Sequence, residues 1–156
     1  MPRRSRRPAV PAFARYTVDA SVFVNAFNAH EVGHADSLLV LSAMQRAGDP
    51  IIVPTLLLPE VAAAVARATH DEPAALQYTS AIEHFPHLTF VTLTPPMARH
   101  AAELGARHRL RGADAVYVSV ARRYGTTIVS LDEEQRTRAS AVVACRTPGQ
   151  ALLDRR

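Results

Sequence analysis

Apolar positions along this chain fall into short compact runs separated by longer stretches of mixed character. Residues 16–20, 51–53, 88–93, 127–131 and 141–145 are apolar and mostly rich in β-branched side chains, as strands buried on both faces are. Between them the spacing changes to every third or fourth residue. Ser21 is placed to cap a helix over 22–28, and 34–47 carries Leu38, Leu39, Leu41 and Met44 before stopping at Gly48. A third helix is predicted over 55–68, with Pro59 tolerated near its first turn. Others follow over 73–84 behind Asp71, from Thr94-Pro95-Pro96 to about 110, and over 113–124 before Gly125. Asp132 heads a short helix, and Thr147-Pro148-Gly149-Gln150 has the form of a capping box. Strands alternating with helices imply an α/β fold. The expected architecture is a three-layer α/β/α sandwich on a central, mostly parallel five-stranded sheet with right-handed crossovers.

In such a sheet, ligands sit beyond the carboxyl ends of the strands. Four acids fall there: Asp19 ends the first strand, Glu60 opens the helix after the second, Asp114 opens the 113–124 helix, and Asp132 ends the fourth strand. Each alone reads equally well as a helix cap or a solvated charge, and Asp132 with Gln135 makes a capping pair. Asp19 and Glu60 resist that reading because their neighbours on both sides are apolar. Carboxylates gathered at one sheet edge repel one another and need a compensator. With no thiolate or histidine cluster nearby, the expected one is a hard divalent cation on oxygen ligands, Mg²⁺ or Mn²⁺.

Composition narrows the chemistry further. All 18 basic residues among the 156 are arginine. The absence of lysine excludes ordinary P-loop and Schiff-base enzymes. Cys145 stands alone, so no intrachain disulfide or cysteine-built zinc site is available, which suits a reducing, cytoplasmic setting. No 18-residue apolar run exists, so no membrane partner is expected. Residues 1–15 hold five arginines, three prolines and no acid, and read as a flexible basic arm ahead of a single domain over 16–156. Beyond that arm, 13 arginines face 14 acids, so the formal charge of +4 reports the arm rather than a basic domain.

Asp19-Ala20-Ser21, Glu60, Gly112-Ala113-Asp114-Ala115 and Ser130-Leu131-Asp132, in this order and context, resemble the four acidic motifs of the PIN-domain nucleases, nearest the VapC-type toxins. The resemblance spans about residues 16–150 and implies a Mg²⁺- or Mn²⁺-dependent endoribonuclease leaving 5′-phosphate and 3′-hydroxyl ends. It also implies a homodimer held in check by a small antitoxin protein. Asp19, Glu60 and Asp114 would hold one ion, with Asp132 completing the site or holding a second. Ser21 and Ser130, each two residues from an acid, are candidates for orienting the carboxylates, as is Asn25. Arg109 and Arg111, and less directly Arg107, Arg122 and Arg123, are candidates for RNA phosphates. A housekeeping RNA-processing nuclease with the same site and a non-catalytic binding module are the alternatives.

A rival motif is His30-Glu31-Val32-Gly33-His34, which matches the H-E-x-x-H signature of zinc peptidases. Gly33 weakens a helix there, and Asn28-Ala29 reads as a helix end, so a polar loop near the mouth of the site is expected instead. His70, His84, His87, His100 and His108 show no ligand spacing and read as surface residues. The helices over 34–47 and 55–68 are apolar on more than one face, which fits either sandwich core or a surface for a dimer mate or antitoxin.

Overall fold

Five short strands pair into one sheet in a computed structural model that describes residues 14–155. They are β1 (Tyr16–Val18), β2 (Ile51–Pro54), β3 (Leu88–Val91), β4 (Thr127–Val129) and β5 (Cys145–Arg146), in the spatial order β3-β2-β1-β4-β5. Every pairing is parallel, so the sheet is wholly rather than mostly parallel. The helices are α1 (Ala20–Phe27), α2 (His34–Ala47), α3 (Leu57–Thr69), α4 (Glu72–Glu83), α5 (Pro95–His108), α6 (Gly112–Tyr124), α7 (Glu133–Ala139) and α8 (Pro148–Leu153). Residues 1–13 of the expected arm lie outside the described residues; Ala14 and Arg15 are exposed, and the Arg15 carbonyl accepts from the Thr127 N–H at 3.0 Å.

Strand alternation sorts the core into two clusters. Tyr16, Val18, Ile51, Val53 and Val129 face one side, where α1, α2, α3, α4 and α8 bury residues such as Phe23, Met44, Val61 and Ile82 against them. Ile128 faces the other side and packs with Leu104, Val118, Ala121 and Ala139 from α5, α6 and α7. Thr17 also points to that face, where its hydroxyl donates to the Ile52 carbonyl at 2.7 Å and meets Thr126 Oγ1 at 2.6 Å.

Three local expectations differ from the outcome. Asp19, not Ser21, is the N-cap of α1: its carboxylate accepts from the Ser21 N–H, which frees the Ser21 hydroxyl for other work. The last strand forms at Cys145–Arg146 rather than over 141–145, because the N–H groups of Val142 and Val143 both turn back to the Ala139 carbonyl and leave their side chains against the second cluster. His100 and His108 are half-buried rather than on the surface, and His100 Nδ1 lies 2.7 Å from the Ser119 hydroxyl. The capping box at Thr147 and Gln150 forms as the sequence predicts.

Candidate active site

With β1 central, the chain adds β2 and β3 on one side and β4 and β5 on the other. The order therefore reverses between β1 and β4, and a crevice opens beyond their carboxyl ends. Asp19 follows β1 directly and Asp132 lies just past β4, while Glu60 enters from the first turn of α3 and Asp114 from the first turn of α6. All four acids line one cleft of about 720 Å³.

Gln135, Tyr117 and Arg111 share in holding the four carboxylates. Asp19 is buried and accepts from Gln135 Nε2 at 3.0 Å and from the Ser21 N–H at 2.9 Å. Glu60 Oε2 accepts from the Tyr117 hydroxyl at 2.8 Å. Asp132 caps α7 by accepting from the Gln135 N–H at 3.0 Å. Arg111 forks between Asp114 and Asp132: its Nε donates to Asp114 Oδ2 at 2.8 Å, and its other arm reaches Asp132. The two serines act on backbone rather than on carboxylates. Ser21 Oγ accepts from the Leu131 N–H at 3.1 Å and Ser130 Oγ from the Asp132 N–H at 3.0 Å, which fixes the loop that carries Asp132.

The electrostatics follow from this packing. Burial holds Glu60 above the ordinary carboxylate range, and the Asp19 and Asp114 charges push the same way against the pull of the Tyr117 hydroxyl and Arg111. Burial likewise raises Asp114, outweighing its bond and charge contact with Arg111. At Asp132 burial presses upward too, but the Gln135 N–H and Arg111 prevail and the carboxyl sits below its ordinary value. Burial, then the charges of Asp19 and Glu60, drive the Tyr117 hydroxyl far up, so it stays a proton donor. The cleft is thus short of positive charge, with Arg111 as the internal cation in contact with its acids.

The donor set is oxygen only, which suits a hard divalent cation. Among the described residues no three His, Cys, Asp or Glu side chains close into a ready-made cage. Mg²⁺ needs only one or two carboxylates, with waters completing its shell.

The residues 30–34 do not form a helical pair of imidazoles. His30 is exposed in a turn, Gly33 adopts φ 85° as N-cap of α2, and His34 begins the helix with its Nδ1–H donating to the Asn25 carbonyl at 2.9 Å. Asn25 is buried and ties the turn together, accepting from Ser37 Oγ at 2.7 Å and donating to the Val32 carbonyl at 3.0 Å. Glu31 lines the acid cleft from this turn. Arg109 caps α5, exposed, and does not line the cleft. Of the two helices with wide apolar surfaces, α3 buries Leu57, Val61 and Val65, whereas α2 leaves Leu38 and Leu39 exposed.

Tyr117 and Arg67 are contact or cleft residues beyond those the sequence singles out, while Gln135, read there as a capping partner, also holds Asp19, and Glu31 lies at the cleft as the loop reading expects. Tyr117 could have been found as the residue one turn after Asp114 on the inward face. Gln135 hides behind its capping role.

The fold and cleft define a parallel α/β protein with an acidic crevice at its topological switch point. Residues 16–140 match the family model described as PIN domain, and the chain belongs to that family. Solved structures with the same fold include VapC20 of Mycobacterium tuberculosis, a Sarcin-Ricin loop cleaving toxin (18% identity, TM-score 0.65, covering 78% of this chain and 93% of that one). VapBC2 of Rickettsia felis, bound to a DNA fragment from its promoter, is similar at 14% identity and TM-score 0.64, covering 85% and 97%. FitAcB of Neisseria gonorrhoeae is similar at 15% identity and TM-score 0.59, covering 86% and 98%. No curated protein matches the chain in sequence.

Proposed function

We propose that this chain is a metal-dependent endoribonuclease that hydrolyses RNA phosphodiester bonds, and the toxin of a type II toxin–antitoxin pair. The observation that carries the reading is the convergence of Asp19, Glu60, Asp114 and Asp132 on one cleft of a PIN domain. In this reading Asp19, Glu60 and Asp114 would hold Mg²⁺ or Mn²⁺ directly or through waters, with Asp132 completing the site. The ion supplies a water of lowered pKa and offsets charge on the departing oxygen. The chain's own contribution is positional. Gln135 and the Ser21 N–H hold Asp19, Tyr117 holds one oxygen of Glu60, and Ser21 and Ser130 fix the backbone beneath Asp132.

The toxin assignment draws support from the similarity to VapC20, a Sarcin-Ricin loop cleaving toxin, and to the structures named VapBC2 and FitAcB. It implies a homodimer in the cytoplasm and a small antitoxin partner, with the exposed Leu38 and Leu39 of α2 as one surface for either. Among the described residues no helix is long and apolar enough to cross a membrane. The test is cleavage of total RNA in Mn²⁺ against EDTA, with Asp19→Asn combined with Asp114→Asn; intact cleavage by the double variant places the chemistry elsewhere. Growth arrest on expression, relieved by a co-expressed small neighbouring protein, separates a toxin from a housekeeping nuclease.

A further inference from the structure

One cation of the cleft has no part in holding the acids. Arg67 is exposed in the last turn of α3, lines the same cleft as the four carboxylates, and makes no ion pair among the described residues. It follows Glu60 by seven residues, which returns the helix to within about 20° of the same face and about 10 Å further along the axis. Between them the cleft wall is made by Ala63 and Ala64, small enough to leave the surface flat. Glu31, in the turn after α1, lines the same cleft, and its carboxylate accepts from the Asn28 amide at 3.0 Å and the Asn25 amide at 3.3 Å. A second groove of about 320 Å³ adjoins the cleft, sharing Val24 and Glu31 with it and adding Phe27, His30, Ala68 and Thr69.

Resting on the nuclease reading, we infer that the RNA strand leaves the acids along α3, with Arg67 gripping a backbone phosphate about three nucleotides from the cut. The spacing follows from about 10 Å of helix against a stacked rise of about 3.4 Å per nucleotide. Charge sets the side: Glu31 repels phosphate from the turn that carries it, and the Arg67 guanidinium draws the backbone to α3. The alanine floor gives room for the strand without selecting a base, so the contact is independent of sequence.

The experiment measures binding of a fluorescein-labelled, mixed-sequence single-stranded RNA 20-mer in EDTA, across salt concentrations. Arg67→Ala is expected to weaken binding about fivefold and flatten the slope of log K against log salt by about 0.7, the loss of one phosphate contact. Arg67→Lys keeps most of the slope. Arg46→Ala, which removes an exposed charge on α2 away from the cleft, changes neither quantity. In Mn²⁺, Arg67→Ala raises KM and leaves kcat at saturating RNA within about twofold. Behaviour of Arg67→Ala matching Arg46→Ala overturns the strand path while metal-dependent cleavage by the parent protein leaves the nuclease reading standing. A parent protein that neither binds nor cuts this RNA removes both.

Discussion

Arg111 holds the position a metal ion would relieve, and removing it has two opposite consequences. Its guanidinium bridges Asp114 and Asp132 through Oδ2 of each, so an ion that takes either of those oxygens must first break the contact. Two unit charges about 4 Å apart attract by about 4 kcal/mol at an effective dielectric of 20. The Arg111 side chain is 54% exposed, so water and salt reduce each pair to at most about 1 kcal/mol, and the two together to about 1–2 kcal/mol. In Arg111→Ala that cost disappears from metal binding. Mn²⁺ affinity measured by calorimetry on stripped protein is expected to rise about 5- to 25-fold, at about 1.4 kcal/mol per tenfold. Without metal the variant is less stable, its melting temperature falling by about 4 °C, because its carboxylates lose their internal counter-charge. Saturating Mn²⁺ closes most of that gap. Arg111→Lys falls between the two, since an ammonium cannot fork between two carboxylates. Unchanged or weaker Mn²⁺ affinity in Arg111→Ala refutes the competition.

Other outcomes follow from the same geometry. Gln135→Leu removes the amide that holds Asp19 Oδ1 and should cost about 1–2 kcal/mol in a denaturant titration, lowering kcat more than it raises KM. Because Glu60 and Asp114 sit above their ordinary values, the folded protein holds protons that the unfolded chain has released. Metal-free protein should therefore melt higher as pH falls from neutrality toward the raised carboxyl pKa values, and excess Mg²⁺ should flatten that dependence in a thermal scan. Asp132 works in the opposite sense, contributing stability above its unfolded pKa that is lost as pH falls through the lower folded one. Glu60→Gln, which keeps an acceptor for Tyr117, should raise the metal-free melting temperature by about 2 °C while abolishing RNA cleavage.

The helices and the acids were legible because their signals are local. A capping residue, a proline in the first turn or a glycine in the left-handed region marks a helix end within a few positions, as at Thr94, Pro95 and Gly125. The acids became a cluster through one topological rule about strand ends, which needs element order and no contacts. What supports them was not legible. Tyr117 reads as one more apolar position of an inward helix face, yet its hydroxyl meets Glu60 across 57 residues of chain. Gln135 has a complete local explanation as a capping partner, and that explanation masks a bond to Asp19 across 116 residues. Arg111 reads as a phosphate ligand by composition and sits between two carboxylates by geometry. The last strand went astray for a related reason: Val142 and Val143 favour a strand intrinsically, but the second cluster and the Ala139 carbonyl claim them first.

The distance between Asp19 and its amide partner also sets when this site can exist during synthesis. Asp19 emerges from the ribosome early, and Gln135 emerges only when nearly the whole domain has been made. The first strand lies between β2 and β4, so it has only one flanking strand until residues 127–129 arrive. A nascent chain stopped short of that point carries Asp19, Glu60 and Asp114 on a sheet whose crevice lacks its β4 wall, and translation arrest or truncation there yields no assembled cleft. In a protein proposed to attack RNA, the segment from β4 to Gln135 thus closes the site: the stretches that carry Asp19, Glu60 and Asp114 are made before the strand and the amide that complete their cleft.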